Sequence, residues 1–160
     1  MPLNRSLPEI LAYGNSKEFP THLEHMHNSA YDAALLLMQN ADYVSAMLLI
    51  ESILRSSEPI KFLQLKSSLK VKFHLILGHC YLKLEQNNEA MKFYEFALEQ
   101  KNHLSSDNYM ELLIGMGKLM EMMGRHEEAL YKYIEAAELH ENYSNGGTIE
   151  EHQEIEEYIK

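Results

Sequence analysis

The chain has 160 residues, 46% of them hydrophobic and 24% charged, and its formal net charge is −10. This acidity argues against nucleic-acid binding, which needs a basic surface. The single cysteine, Cys80, excludes a disulfide framework, and no apolar run reaches the roughly 18 residues of a membrane helix. No apolar signal-peptide core follows Met1, so we expect an intracellular protein, cytoplasmic or nuclear.

Apolar residues recur at helical spacing from Thr21 onward and predict an all-α chain. Thr21 with Glu24 three residues later has the spacing of a capping box, which predicts that the first helix begins there. Residues 1–20 contain three prolines and predict an irregular arm. The predicted helices cover about 21–39, 43–55, 62 or 68 to 84, 89–100, 108–123 and 127–141, and a capping helix covers 148–160.

An internal repeat is visible when the chain is aligned on three alanines, Ala46, Ala90 and Ala129. A small residue stands twelve positions before each alanine, and a bulky one stands four positions after it. These are the pairs Ala34 and Ile50, Gly78 and Tyr94, Gly117 and Tyr133. The alignment predicts three helical hairpins at about 27–58, 68–101 and 108–141, with Gly78 allowing the two helices of its hairpin to approach closely.

The middle unit carries a recognisable pattern: Leu77, Gly78, Tyr81, Ala90, Tyr94 and Ala97. This pattern resembles the signature of the tetratricopeptide repeat (TPR) family. The third unit matches it in part, the first unit matches it weakly, and none of the three carries the usual tryptophan. The resemblance implies a right-handed solenoid of antiparallel helix pairs over residues 21–141. It also implies a non-enzymatic adaptor or scaffold that binds another protein.

The resemblance further implies which side chains line a concave groove, because the first helix of each TPR hairpin faces it. The matching positions are Asn28, Tyr31, Leu35, Lys72, Leu75, His79, Glu111, Ile114, Lys118, Glu121 and Met122. This lining is apolar at one end, holds Lys and His centrally and is acidic at the other end. We expect it to bind an extended or helical peptide with apolar anchors and some basic character.

No constellation for catalysis or cofactor binding stands out. Cys80 lies in the most strongly patterned helix and is expected to be a buried apolar residue rather than a reactive thiol. His22 and His25 share a helix face but lack further ligands for a metal. Gly115 and Gly117 are better explained by helix packing than by a nucleotide loop. We therefore expect no enzyme, no metal and no cofactor.

A second function remains open, in which the chain is an assembly module. Residues 33–38 are all apolar, and a helix that is apolar on most sides needs cover on more than one of them. The first hairpin could then pair with a second copy in a homodimer or with another subunit. Multi-TPR subunits of large assemblies, such as those of the anaphase-promoting complex, resemble this case.

Charge is concentrated toward one end of the chain. Residues 101–160 hold thirteen acidic and five basic side chains and therefore contribute −8 of the net charge. An acidic region of this kind either is a solvated face or attracts a basic partner over a distance.

Overall fold

The computed structural model describes residues 18–57 and 66–143. All regular elements within these residues are helical, which confirms the all-α prediction. They are α1 (Glu18–Gln39), α2 (Tyr43–Ser57), α3 (Ser67–Lys83), α4 (Asn87–Glu99), a 3₁₀ turn (Lys101–His103), α5 (Ser106–Met122) and α6 (His126–Tyr143). The predicted arm, apart from its last three residues, and the predicted 148–160 helix lie outside the described residues.

The third helix begins near the later of its two predicted starts, Ser68, and the other observed helix ends lie within about three residues of the predicted ones. The largest difference is at the start of α1, which begins at Glu18, so the predicted capping box at Thr21 and Glu24 is wrong. Pro20 lies in the first turn of this helix, where its missing N–H group would have had no intrahelical partner. The proline is therefore compatible with the earlier start.

The chain divides into two compact units, with the division between Lys70 and Val71. In the first unit α1 packs against α2. In the second unit α5 packs against both α4 and α6. Among the described residues, no helix has both the length and the apolar character needed to cross a membrane.

The same turn joins the two helices of each hairpin. Ala41, Glu85 and Gly124 have φ values of 58°, 59° and 77°, in the left-handed region. The N–H of the residue after each one donates to a carbonyl five positions back, at 2.8 Å (Asp42 to Leu37), 2.9 Å (Gln86 to Tyr81) and 2.8 Å (Arg125 to Met120). These bonds satisfy carbonyls that the ending helix leaves open, as in a Schellman motif. The left-handed cap predicted at Gly124 is confirmed, and the three turns keep the spacing of the aligned alanines.

In the first unit, the α1–α2 turn is followed by a capped helix. The Asp42 carboxylate accepts a hydrogen bond from the Ser45 N–H at 3.2 Å, which satisfies one of the free donors at the start of α2. Ala34, Ala46 and Ile50, the residues of this unit that match the repeat, are fully buried. The sequence alignment therefore selects core positions in this unit as well.

In the second unit, two glycines allow the helices of each hairpin to approach closely. A methyl group on Gly78 would lie 2.6 Å from Cε1 of Tyr94, and one on Gly117 would lie 2.5 Å from Cε1 of Tyr133. Both distances are shorter than two nonbonded carbons allow, so only glycine fits at either position. Tyr94 and Tyr133 belong to one core cluster with Ala90, Ala97 and Ala129 and with Leu and Met side chains of α3 and α5. The close approach predicted at Gly78 is confirmed.

Candidate functional site

The polar centre of the second unit is a contact between α3 and α4. Nδ1 of His79 lies 2.7 Å from the hydroxyl oxygen of Tyr94, and the two rings meet edge to face at a centroid distance of 5.4 Å. Tyr94 is fully buried, so its hydroxyl would be costly to desolvate without a partner. His79 supplies that partner, which ties the position of its ring to the core.

The protonation states of the pair follow from their surroundings. Burial, followed by the nearby charges of Lys118 and Lys83, lowers the pKa of His79 to about 4. Burial also raises the pKa of Tyr94 well above its usual value. Both side chains are therefore neutral at pH 7. The proton of the buried Tyr94 hydroxyl needs an acceptor, and Nδ1 of His79 can supply one at 2.7 Å, so we infer that the Tyr94 O–H donates to Nδ1. In that arrangement the imidazole proton is on Nε2, which remains a hydrogen-bond donor.

Helix α5 closes the same site with its backbone. A methyl group on Gly115 would lie 2.7 Å from the Tyr94 hydroxyl oxygen and 3.0 Å from Cε1 of His79. Gly115 therefore lets α5 pass directly over the His79–Tyr94 pair. This confirms that helix packing, and not a nucleotide loop, explains the glycine.

Two lysines give the surroundings of His79 a positive potential. Lys83 lies one turn beyond His79 on α3 and is exposed, whereas Lys118 is half-buried on α5. Both charges disfavour the imidazolium form of His79. A positive site with a neutral N–H donor can bind a carboxylate, because the carboxylate gains two attractive charges and one hydrogen bond. We call His79, Lys83 and Lys118 the histidine–lysine site.

The predicted groove residues are divided between the two units. Asn28 and Leu35 are exposed and Tyr31 is half-buried in the first unit. The remaining eight lie on α3 and α5 of the second unit, and the structure brings His79 and Lys118 near each other there.

The accessibility of these eight residues differs. Leu75 is 2% exposed and belongs to the core cluster, so it offers little surface to a ligand. Glu111, Glu121 and Met122 are exposed, whereas Lys72 and Ile114 are half-buried. The surface available on α3 and α5 is therefore mainly polar.

Sequence reasoning did not include Tyr94 and Gly115 among the site residues. The repeat pattern identifies Tyr94 only as a bulky residue, and its ring does fill the core against Gly78. The signal that could have identified its second role is the hydroxyl itself, because a buried tyrosine usually has a hydrogen-bond partner and His79 was already a candidate.

The other candidate residues for chemistry are located as follows. Cys80 is fully buried, as predicted, and burial raises the pKa of its thiol to about 12. A thiol of this kind is a poor nucleophile at neutral pH. Within residues 18–57 and 66–143, no group of three or more His, Cys, Asp or Glu side chains is arranged to hold a metal ion. Comparison of the chain with protein-family models, with curated proteins and with solved structures gives no match.

Proposed function

We propose that the chain is a TPR-like helical repeat of the solenoid type that acts as a non-enzymatic protein-interaction module, an adaptor or scaffold. Three observations support the repeat: the three identical turns, the paired contacts of Gly78 with Tyr94 and Gly117 with Tyr133, and the shared spacing. In such an architecture α3 and α5 are the first helices of two consecutive hairpins. Their common surface is then the concave groove that binds a segment of a partner.

The histidine–lysine site is the observation that supports the proposal most strongly. Its three side chains come from both groove helices, and the core fixes its histidine through Tyr94. The exposed carboxylates of Glu111 and Glu121 lie on the same helix as Lys118. We therefore propose a partner segment that places one acidic residue at the histidine–lysine site. Basic and apolar residues of the segment would meet the rest of α5.

Selection from a random peptide library displayed on phage tests this proposal. The selected peptides should share an acidic residue, and their affinity should fall by about tenfold or more with Lys83→Glu and Lys118→Glu together, since two attractive charges become repulsive. The matched control is Lys92→Glu with Lys101→Glu, which changes the net charge equally on α4 and the 3₁₀ turn. The affinity of this control variant for the selected peptides should differ from that of the wild type by less than about twofold. Peptides without an acidic residue, or equal losses in both variants, would contradict the proposal.

A second function, self-association through the first unit, is favoured by a different observation. Met26, Leu36, Val44 and Leu48 on α1 and α2 are 58%, 59%, 52% and 56% exposed. Val44 and Leu48 are one turn apart on α2, so their side chains are neighbours, and exposed apolar patches are typical of interfaces. Light scattering over a concentration series tests this: a dimer that persists on dilution and dissociates in Leu36→Glu with Leu48→Glu supports it. A monomer at all concentrations contradicts it.

A further inference from the structure

Helix α6 has apolar residues on two opposite faces. One face holds Ala129, Tyr133 and Ala136, which are at most 5% exposed. The other face holds Leu130, Tyr131 and Ile134, which are 51%, 66% and 42% exposed. Leu130 and Ile134 are one turn apart, and Tyr131 is three residues from Ile134, so the three side chains are neighbours on the helix surface. We call them the α6 patch.

Acidic residues bound the α6 patch along the helix axis. Glu127 precedes it, and Glu138 and Glu141 follow it on the same side of the helix; all three are exposed. Arg125, the nearest basic residue before the patch, is already paired with Glu128 through two hydrogen bonds. Glu127 and Glu138 are about 16 Å apart at 1.5 Å per residue. A docking partner therefore meets an apolar surface with negatively charged glutamates at both ends.

The charge pattern decides between three possible occupants. A second copy docked by the same face in antiparallel orientation would bring Glu127 against the partner's Glu138, which is a like-charge contact. Residues 144–160 of this chain hold five glutamates and one lysine, so this segment would also be repelled. A helix of another protein with basic residues on both sides of an apolar stripe meets no such repulsion.

We propose that the α6 patch docks an amphipathic helix of a partner protein that carries Lys or Arg at both ends of an apolar stripe. Basic residues eleven positions apart on that helix match the spacing of Glu127 and Glu138, and apolar residues between them cover Leu130 and Ile134. The α6 patch is made by one helix and does not require the histidine–lysine site.

Two synthetic helical peptides of equal length test the proposal on the full chain. Both carry the same leucine stripe, and the flanking positions, eleven residues apart, hold Lys in one peptide and Glu in the other. The chain contains no tryptophan, so one Trp in each peptide reports binding by fluorescence without interference. We expect the Lys peptide to bind about tenfold more tightly or better, and raised salt to reduce this difference.

Substitutions in the chain complete the test. Glu127→Lys with Glu138→Lys should reverse the preference between the two peptides, and Ile134→Asp should weaken Lys-peptide binding about tenfold. Because Ile134 is 42% exposed and outside the core cluster, that variant should keep the helical circular-dichroism spectrum of the wild type. The control Met123→Asp, at an apolar position of similar exposure (38% against 42%) just after α5, should leave Lys-peptide binding unchanged.

Each alternative occupant has its own signature. The proposal would be overturned if the chain bound both peptides equally or bound neither of them. A fall in solution mass on Ile134→Asp would show that the α6 patch binds a second copy. Nuclear Overhauser contacts between the Ile134 methyl groups and residues 149–159 in the free chain would show that it binds the chain's own segment. Either result would replace the proposed partner.

Discussion

A methyl group on Gly78 would lie 2.6 Å from Cε1 of Tyr94, which places the α4 ring directly on the α3 backbone. The same relationship recurs between Gly117 and Tyr133, and both pairs are sixteen residues apart. In the first unit the corresponding pair is Ala34 and Ile50, both fully buried. The contact of a small residue with a bulky one is thus common to the two hairpins of the second unit, and the first hairpin buries a small and a bulky residue at the same separation.

The Gly78–Tyr94 contact predicts that Gly78→Ala destabilises the second unit. The added methyl group must displace a fully buried ring, so we expect a loss of about 1–3 kcal/mol in the free energy of unfolding. Gly117→Ala should behave alike, because Tyr133 occupies the equivalent place. Chemical denaturation followed by circular dichroism measures both.

Gly124→Ala is the control for this prediction. A methyl group there meets nothing within 4 Å, but φ is 77°, so the expected cost is about 1 kcal/mol and comes from the backbone alone. In a double-mutant cycle, the changes in unfolding free energy caused by Gly78→Ala and Tyr94→Leu should not add, because the two residues are in contact. The changes caused by Gly124→Ala and Tyr94→Leu should add. Wild-type stability of Gly78→Ala would refute the packing account.

Removing the Tyr94 hydroxyl should loosen His79. In Tyr94→Phe the ring still fills the core, but Nδ1 of His79 loses its donor, so we expect a loss of about 1 kcal/mol in stability. The lost hydrogen bond favoured the neutral imidazole, so the pKa of His79 should rise above its value of about 4. Tyr131→Phe, at a tyrosine 66% exposed, should change neither quantity. A His79 pKa that does not move would refute the hydrogen-bond assignment.

The low pKa of His79 predicts a pH dependence of stability. The unfolded chain binds a proton at this histidine near pH 6.5, whereas the folded chain does so only near pH 4. Stability is therefore unaffected above pH 6.5 and falls as the pH drops from 6.5 to 4, by up to about 3 kcal/mol from this group. Carboxylates titrate at the lower end, so His79→Gln is the reference. The wild type should lose more stability than that variant across this range, and parallel curves would contradict the prediction.

Cys80 should be unreactive in the folded chain. The thiol is fully buried and its pKa is raised to about 12, so a reagent cannot reach the sulfur and the sulfur stays protonated. We expect an aromatic disulfide reagent at pH 8 to label it only at the rate at which the chain opens, and to label it completely in denaturant. Rapid stoichiometric labelling of the folded chain would show that the environment of Cys80 is open.

The helices and the repeat could be predicted from the sequence because they rest on periodicity and on fixed separations. Gly78, Ala90 and Tyr94 occupy core positions that spacing alone identified. The left-handed turns at Ala41 and Glu85 were not predicted, because neither residue favours that conformation, and only the hydrogen bonds of the ending helix require it. The start of α1 was misplaced because a capping signal inside a helix looks the same as one at its end.

The candidate site was accessible to sequence reasoning only in part. The resemblance named His79 and Lys118 but could not show that Tyr94 and Gly115 hold the histidine in place, since those contacts join residues on three helices. The α6 patch was hidden for a related reason. Leu130 and Ile134 are apolar and one turn apart, and this spacing does not distinguish an exposed face of a helix from a buried one.

The most direct test of the proposed function is the ring signal of His79 during titration with an acidic peptide obtained by the library selection. The chain has nine histidines, so His79→Gln assigns the signal. If a carboxylate enters the histidine–lysine site, the signal shifts on binding and the pKa of His79 rises from about 4, because the negative charge favours the imidazolium form. The same peptide with Asn or Gln for its acidic residue should bind weakly and leave that pKa unchanged. Tight binding of the acidic peptide with no change in the signal or the pKa of His79 would contradict the account.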